Sequence, residues 1–153
     1  MKRAFTMVEL VFVIVVIGIL AAIAVPKFSA TRDDATLVKA RTTVASIRSA
    51  ISTEIQKRQM AGIYTGISNL GGKTNQNDKS IFDYFDAPKT ESRVLEYPPH
   101  SCKAGAKGCW MRTGPNTYTY YFPASIGGSV DFQVNNNRFE CVSSDTLCAK
   151  LDR

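Results

Sequence analysis

Hydrophobic positions divide the chain into an apolar N-terminal stretch and a longer stretch of mixed polarity. Every residue from 10 to 25 is apolar or glycine, whereas residues 27–153 are rich in Thr, Ser, Asn, Gly and Lys. A helix over 10–25 would be about 24 Å long, but one that begins at Phe5 would reach about 31 Å, enough to cross a hydrocarbon core of ~30 Å. The pattern therefore predicts a membrane-spanning helix over residues 5–26, with Glu9 inside its apolar layer.

A second helical pattern follows the apolar stretch. Pro26 has no N–H and clashes with the preceding turn, so we expect it to bend the helix rather than end it. Beyond it, apolar residues recur at intervals of seven, three, four and four, which places them on one helix face. They are Leu37, Val44, Ile47, Ile51 and Ile55. The spacing predicts an amphipathic helix over 27–61 that continues into the globular domain.

Strand signals dominate the C-terminal third of the chain. Residues 62–101 are rich in glycine and polar residues, which predicts a long connection containing a short helix over Ser80–Phe85. β-branched and aromatic residues then concentrate in segments 109–112, 117–122, 130–134 and 138–142. Asparagines between the last two segments favour a hairpin turn. The expected fold class is α+β: a long, kinked N-terminal helix packed on a small antiparallel sheet within residues 102–153.

The four cysteines lie in this predicted sheet region. Six residues separate Cys102 from Cys109, and six separate Cys141 from Cys148. Zinc sites usually pair cysteines two to four residues apart, so disulfides in an oxidising compartment are favoured over metal. Four cysteines allow three connectivities, and the repeated spacing favours the two local pairs. We predict no cofactor; Asp131 and Asp145 are too isolated in the sequence to predict calcium.

Charge and polar residues give few indications of chemistry. The net charge of +6 is compatible with an anionic membrane surface, nucleic acid or an acidic partner. Candidate DNA contacts are the four cations near the strands, namely Lys103, Lys107, Arg112 and Arg138. The chain has one histidine, His100, and neither a nucleophile motif nor a phosphate-binding glycine loop. We therefore predict a non-enzymatic protein.

Three interpretations of the N-terminal stretch remain: a cleaved signal peptide, a simple anchor, and an assembly helix. Lys2-Arg3 and Ala22-Ile23-Ala24 fit a signal peptide, whereas Glu9 does not. A carboxylate within the apolar layer costs about 2–3 kcal/mol of insertion free energy. A simple anchor gains nothing that would offset this cost. Cleavage between Ala4 and Phe5 would create an amine that a neighbouring subunit could present to Glu9. Such a pair at about 4 Å gains ~4 kcal/mol at an effective dielectric of 20, which offsets the burial cost.

These residues resemble a known family. The basic leader Lys2-Arg3, the run Ala-Phe-Thr-Met-Val-Glu-Leu over residues 4–10, the apolar stretch and Pro26 closely resemble the N-terminus of type IV pilins and type II secretion pseudopilins. The resemblance implies that prepilin peptidase removes residues 1–4 and methylates Phe5, that Glu9 guides docking into a filament, and that Pro26 bends the helix. Ala4 stands where the family usually has Gly, and Met7-Val8 replaces a more usual Leu-Ile.

The resemblance also implies partners and a location. The expected partners are copies of this chain, other pilins or pseudopilins, prepilin peptidase, the inner-membrane assembly platform and membrane lipid. The chain would cross the inner membrane once, with its N-terminus in the cytoplasm and its C-terminal domain in the periplasm or in an extracellular filament. The alternatives are a DNA-binding competence pilin of the same family, or an exported, disulfide-stabilised protein with a conventional signal peptide.

Overall fold

The computed structural model describes residues 5–87, 89, 91–143 and 145–152, without the side chains of residues 25–30 and Asp145. Its elements, in chain order, are helix α1 (Met7–Met60), strands β1 (Cys109–Arg112), β2 (Thr117–Tyr121), β3 (Ser129–Asn135) and β4 (Arg138–Cys141), and the short helix α2 (Asp145–Cys148). The strands form one antiparallel sheet in the order β1-β2-β3-β4. The α+β fold class predicted from the sequence is therefore confirmed.

Helix α1 contributes to two compact units, one up to Asp34 and one from Ala35 onward. It continues through Pro26, so the proline does not end the helix. The bend expected at Pro26 stays a prediction. A four-residue helix, α2, follows the sheet and was not predicted; α-helices that short carry almost no periodic signal.

The core of the second unit lies between one face of α1 and the inner face of the sheet. Val44, Ile47 and Ile51 of the predicted stripe are buried, while Leu37 and Ile55 are partly buried against the same core. Strand β3 alternates buried and exposed side chains, because successive residues of a strand point to opposite faces. The aromatic side chains on the inner face of the sheet are Trp110, Tyr118, Tyr120, Phe132 and Phe139.

The connecting segment between α1 and β1 completes this core. Phe82 lies among the aromatic side chains, with its ring centroid 4.9 Å from that of Tyr118 and 5.5 Å from that of Trp110. The short helix predicted over Ser80–Phe85 is wrong. Ser80 and Tyr84 form isolated bridges with partners 100 and 93, and Phe82 has a φ of 61°. Burial of Phe82 with non-local backbone pairing thus overrides the local helical pattern.

The predicted hairpin between β3 and β4 is confirmed. Asn135 pairs with Arg138, so the loop consists of Asn136 and Asn137 alone. Their φ values are 46° and 61°, the left-handed region that a type I′ turn requires at both central positions. The side chain of Asn137 also accepts a hydrogen bond of 2.7 Å from the backbone N–H of Ile67. The turn therefore fixes the connecting segment as well as the hairpin.

A network of ion pairs holds the C-terminal end of α1 to the connecting segment. The guanidinium of Arg58 donates to Glu54 over 2.9 Å and to Asp86 over 2.7 Å. Ser92 donates to the second carboxylate oxygen of Glu54, and Ser68 donates to Asp86 through its hydroxyl and its backbone N–H. All five residues lie outside the sheet. The network therefore attaches α1 to the segment between α1 and β1, and not to the strands.

Candidate assembly helix and head surface

The apolar half of α1 is the one stretch of the described residues that is long and apolar enough to cross a membrane. The span covers Met7–Ala24, has a mean hydropathy of 2.9, and has none of its residues buried within the molecule. A signal sequence would have the same length and composition. Large apolar side chains at this exposure are unusual on a soluble surface, so the segment requires lipid or partner helices around it.

Glu9 lies at the start of this span and contacts Thr6. The backbone N–H of Glu9 donates to Thr6 Oγ1 over 3.3 Å, and Thr6 Oγ1 lies 3.5 Å from Glu9 Oε2. The backbone carbonyl of Thr6 accepts the first helical hydrogen bond, from Leu10. Thr6 is therefore the N-cap of α1. The pattern Thr-x-x-Glu is a capping-box signature, a readable signal in the sequence that the predictions above did not use.

The capping contact gives Glu9 a second role beside the predicted assembly charge. A carboxylate in the first turn also favours the positive end of the helix dipole. Both contacts are local and exposed, so the carboxylate remains accessible to a partner. The two roles differ in one respect: capping tolerates Glu or Gln, whereas a charge pair requires the carboxylate.

The remaining predicted N-terminal residues are placed as follows. Phe5 is described and exposed, next to the N-cap. Ala4 lies outside the described residues, and of Pro26 only the helical backbone is described. Gly18 lies on the apolar span, and a Cβ added there would meet nothing within 4 Å. That open surface permits the close approach of a second helix.

Two local disulfides connect the predicted cysteines. Cys102 bonds to Cys109 and Cys141 to Cys148, each across a sequence separation of 7. This is the pairing favoured by the repeated spacing. The first bridge joins the connecting segment to the start of β1, and the second joins the end of β4 to α2. Each bridge closes a short loop, which on the chain-entropy model contributes about 2.5 kcal/mol.

The four candidate DNA contacts do not share one environment. Lys103 and Lys107 lie in the loop closed by the first disulfide, with Lys107 Nζ 5.4 Å from the centre of the Tyr121 ring. Arg112 is on β1 and Arg138 on β4, the two opposite edges of the sheet. Arg138 forms an exposed ion pair with Glu140, over 3.2 Å. The structure thus brings Lys103 and Lys107 together but separates Arg112 from Arg138.

Arg112 has a structural role that the sequence pattern did not indicate. Its guanidinium donates to the carbonyls of Gly71, Gly72, Gly114 and Pro115. These contacts attach the connecting segment and the β1–β2 turn to the edge of the sheet. The group keeps its positive charge, but it forms four hydrogen bonds to the backbone, which leave one of its five N–H donors.

Polar residues of the compact unit from Ala35 onward, called the head below, form hydrogen bonds that stabilise the fold. Asp131 accepts a hydrogen bond of 2.5 Å from the hydroxyl of Thr119. Among the residues that the structure describes, no group of three or more His, Cys, Asp and Glu side chains is arranged to hold a metal ion. The described residues thus provide an apolar helix that can pack against other helices and a unit stabilised by two disulfides.

Two comparisons with known proteins bear on the chain. Residues 1–25 match the family model described as the prokaryotic N-terminal methylation motif. A segment of 63 residues is 46% identical to the type IV narrow pilus major component PilA5 of Thermus thermophilus, and it covers 41% of this chain and 53% of that protein. The chain therefore spans about half the length of this relative. No solved structure matches the chain.

Proposed function

We propose that this chain is a structural subunit of a type IV pilus. Its fold and both sequence matches support membership of the type IV pilin family. The relative it resembles is a major pilus component, which favours a pilus over a secretion pseudopilus. Pilins are structural proteins, so we propose no catalytic activity and no cofactor. The subunit would polymerise with copies of itself and with other pilins.

One observation carries this proposal: an apolar span with none of its residues buried lies on the same continuous helix as the stripe that packs on the sheet. The span therefore needs lipid before assembly and neighbouring helices afterwards. A filament subunit that waits in the membrane needs such a helix, because the helix leaves lipid and packs against neighbouring helices when the subunit is assembled.

The proposed life cycle assigns a role to each segment. Residues 1–4 are a leader removed by prepilin peptidase, 5–26 the membrane and assembly helix, and 27–61 its continuation into the head. Residues 62–101 connect the helix to the sheet region of 102–153. The precursor would cross the inner membrane once with its N-terminus in the cytoplasm, and an assembly platform in that membrane would add it to the filament.

Glu9 is the residue through which we propose that neighbouring subunits find their register. Cleavage after Ala4 gives Phe5 a positive α-amino group, which methylation leaves basic. A neighbour's amine beside Glu9 neutralises a carboxylate that is costly to leave alone in an apolar layer. The accessible position of Glu9 next to the N-cap is compatible with this pairing.

Mass spectrometry of the mature N-terminus tests the processing step. The proposal predicts a chain that begins at N-methylated Phe5. A chain that begins at Val25, after the Ala22-Ile23-Ala24 sequence, would establish a conventional signal peptide and remove the assembly helix altogether. Membrane fractionation of the same sample checks that the processed chain stays with the membrane until it is assembled.

A comparison of Glu9→Gln with Glu9→Ala tests the role of the charge. Gln preserves the capping box but not the carboxylate, so Glu9→Gln should leave α1 intact and still impair incorporation into filaments. Asp34→Asn is the matched control, because it removes one exposed acid of the same helix outside the apolar span. Normal assembly of Glu9→Gln, with a defect in Glu9→Ala, would assign Glu9 to capping and contradict the charge pair.

The DNA-binding alternative from the sequence stays a separate hypothesis. Lys103 and Lys107 are the two candidate residues that lie together, whereas the donors of Arg112 are committed to carbonyls and Arg138 pairs with Glu140. Retardation of duplex DNA by the protein, lost in Lys103→Gln/Lys107→Gln, would favour it over a purely structural subunit.

A further inference from the structure

The head carries a cleft whose lining is strongly positive. It has a volume of about 530 Å³ and lies between the connecting segment and the edge of the sheet. Four cationic side chains line it, against the single carboxylate of Asp83, which leaves an excess of three positive charges; the cations are Lys73, Lys79, Lys89 and Arg112. Gly72, Ser80 and Tyr84 contribute to the wall.

None of the three lysines forms an ion pair with a described residue. Each lies more than 4.0 Å from every described carboxylate oxygen, since the ion pairs of the head involve other residues. Asp83, the one acid of the cleft, accepts hydrogen bonds from the backbone N–H groups of Gly72 and Tyr84, each over 2.9 Å. Its carboxylate thereby supports the wall of the cleft.

Other clefts of the head lack this imbalance. The cleft beside β4 is lined by Arg48 and Arg138 and by the acids Glu140 and Asp152, so its charges cancel. In the cleft at the end of α1, three cations meet three acids: Lys57, Arg58 and Lys89 against Glu54, Asp86 and Glu91. Lys89 lines both this cleft and the first one, so the cations that belong to the first cleft alone are Lys73, Lys79 and Arg112, against the single acid Asp83.

The four cations of the cleft differ in how they can bind an anion. Arg is the side chain that recognises carboxylates through two parallel hydrogen bonds, but the donors of Arg112 are used by four backbone carbonyls. It supplies a fixed positive charge at the base of the cleft. The lysines supply compact, mobile ammonium groups, which bind phosphate as point charges, and three of them in one cleft suit a ligand with several adjacent negative charges.

We propose that this cleft binds a ligand carrying several adjacent phosphate groups, either free polyphosphate or the backbone of a single-stranded nucleic acid. Lys73, Lys79 and Lys89 contact the phosphates, and Arg112 adds long-range attraction. A cleft of about 530 Å³ admits a flexible chain of phosphates but is too small to take in a duplex. The site is distinct from the pair Lys103 and Lys107, and it does not depend on assembly into a pilus.

Binding is measured with the full chain in uncharged detergent micelles. A fluorescently labelled short oligothymidine, followed by anisotropy, probes the backbone, and unlabelled tripolyphosphate competes with it. The triple variant Lys73→Gln/Lys79→Gln/Lys89→Gln should bind at least tenfold more weakly. A plot of the log of its association constant against the log of the salt concentration should also be shallower by about two, because three lysine contacts are lost and each contact to a single strand contributes a slope of ~0.7. The control Arg32→Gln/Lys39→Gln/Lys150→Gln removes the same number of exposed positive charges outside both the cleft and the pair Lys103 and Lys107, and it should retain binding.

The outcomes separate the sources and the alternatives. Binding of both probes, with competition, supports a nucleic-acid backbone; binding of tripolyphosphate alone supports free polyphosphate. The proposal is overturned if neither probe binds at about 50 mM salt, where phosphate contacts are strong. It is also overturned if the control triple variant loses as much affinity as the cleft variant, or if citrate competes as well as tripolyphosphate. Unchanged fluorescence of Trp110, which is buried in the core, verifies that the variants are folded.

Discussion

Arg58 Nη2 donates to Asp86 Oδ2 over 2.7 Å and so connects the last turn of α1 to a residue 28 positions away. The same guanidinium donates to Glu54 on its own helix. The side chains are mostly shielded from solvent, with exposed fractions of 15% for Arg58, 17% for Asp86 and 8% for Glu54. Arg58 is thus the shielded cation that two carboxylates share, while the exposed Lys57 lies 3.9 Å from Glu54. An unpaired charge in such a largely desolvated place is costly.

Replacement of Arg58 should therefore destabilise the head strongly. Arg58→Met keeps much of the apolar stem but leaves Asp86 without a cation and Glu54 with only the exposed Lys57, at a cost of about 3 kcal/mol in the free energy of unfolding. Denaturant unfolding followed by the fluorescence of Trp110 measures it. Arg138→Met is the control: it removes an exposed ion pair with Glu140, and such pairs are worth about 0–1 kcal/mol. Equal effects of the two variants would contradict a special role of the network.

The same network predicts how stability depends on acid. Burial alone would raise the pKa of Glu54, but hydrogen bonds from Ser92 and Arg58 outweigh it and hold that pKa below its ordinary value of 4.5. Burial would likewise raise the pKa of Asp86, and hydrogen bonds from Ser68 and Arg58 lower it below 3.8. Both groups bind protons less readily in the folded state than in the unfolded state.

The sign follows from that difference. A lowered folded pKa contributes stability that is present above the unfolded pKa and is lost as the pH falls through the folded one. The free energy of unfolding should therefore decrease as the pH falls below about 5. Glu54→Gln/Asp86→Asn should flatten this decrease, whereas the exposed control Glu140→Gln/Asp152→Asn should not. Identical acid slopes in the two double variants would show that other carboxyls control the acid response.

The turn between β3 and β4 offers a comparison within two adjacent residues. Both Asn136 and Asn137 have positive φ, but the side chain of Asn137 also accepts the N–H of buried Ile67. Asn136→Gly should be neutral or slightly stabilising, because glycine adopts this conformation freely. Asn137→Gly keeps the backbone conformation but leaves the Ile67 N–H without a partner, which should cost about 1–3 kcal/mol. Thermal unfolding of the two variants measures the difference, and equal stabilities would contradict a role for the side chain.

Much of the fold could be predicted from the sequence because its signals are local. The apolar span, the stripe Val44, Ile47 and Ile51, the four strands and the asparagine turn each follow from periodicity or backbone preference over a few residues. The connection between α1 and β1 could not be predicted in the same way. Its conformation depends on partners far along the chain, such as Tyr118 for Leu70 and Asn137 for Ile67.

The candidate functional sites show the same division. Phe5, Glu9 and Pro26 were predicted from a motif within residues 2–26, and their roles stay predictions; the capping pattern of Thr6 with Glu9 was equally readable. The positive cleft was not predicted. Lys73, Lys79 and Lys89 are spread over a polar segment without a periodic pattern. Arg112 was predicted as a nucleic-acid contact because the sequence does not show the four carbonyls that accept its hydrogen bonds.

Tyr118 provides a prediction at alkaline pH. Its hydroxyl donates to the carbonyl of Gly71 over 3.1 Å and accepts the N–H of Leu70 over 2.8 Å, so it joins β2 to the connecting segment inside the core. Tyr118→Phe leaves the Leu70 N–H without a partner, while the Gly71 carbonyl keeps its hydrogen bond from Arg112, and the change should cost about 1–3 kcal/mol. Tyr64→Phe is the matched control, since Tyr64 is exposed and its hydroxyl supports no core contact.

Burial raises the pKa of Tyr118 to about 12, although Arg112 and the Leu70 N–H act in the opposite direction. The folded pKa is higher than the unfolded value near 10, so the hydroxyl stabilises the fold fully below pH 10 and loses this contribution as the pH rises towards 12. Absorbance titration at alkaline pH should show a late-ionising component that decreases in Tyr118→Phe and is retained in Tyr64→Phe. If this component is unchanged in Tyr118→Phe, it belongs to another tyrosine, and the late ionisation assigned to Tyr118 is wrong.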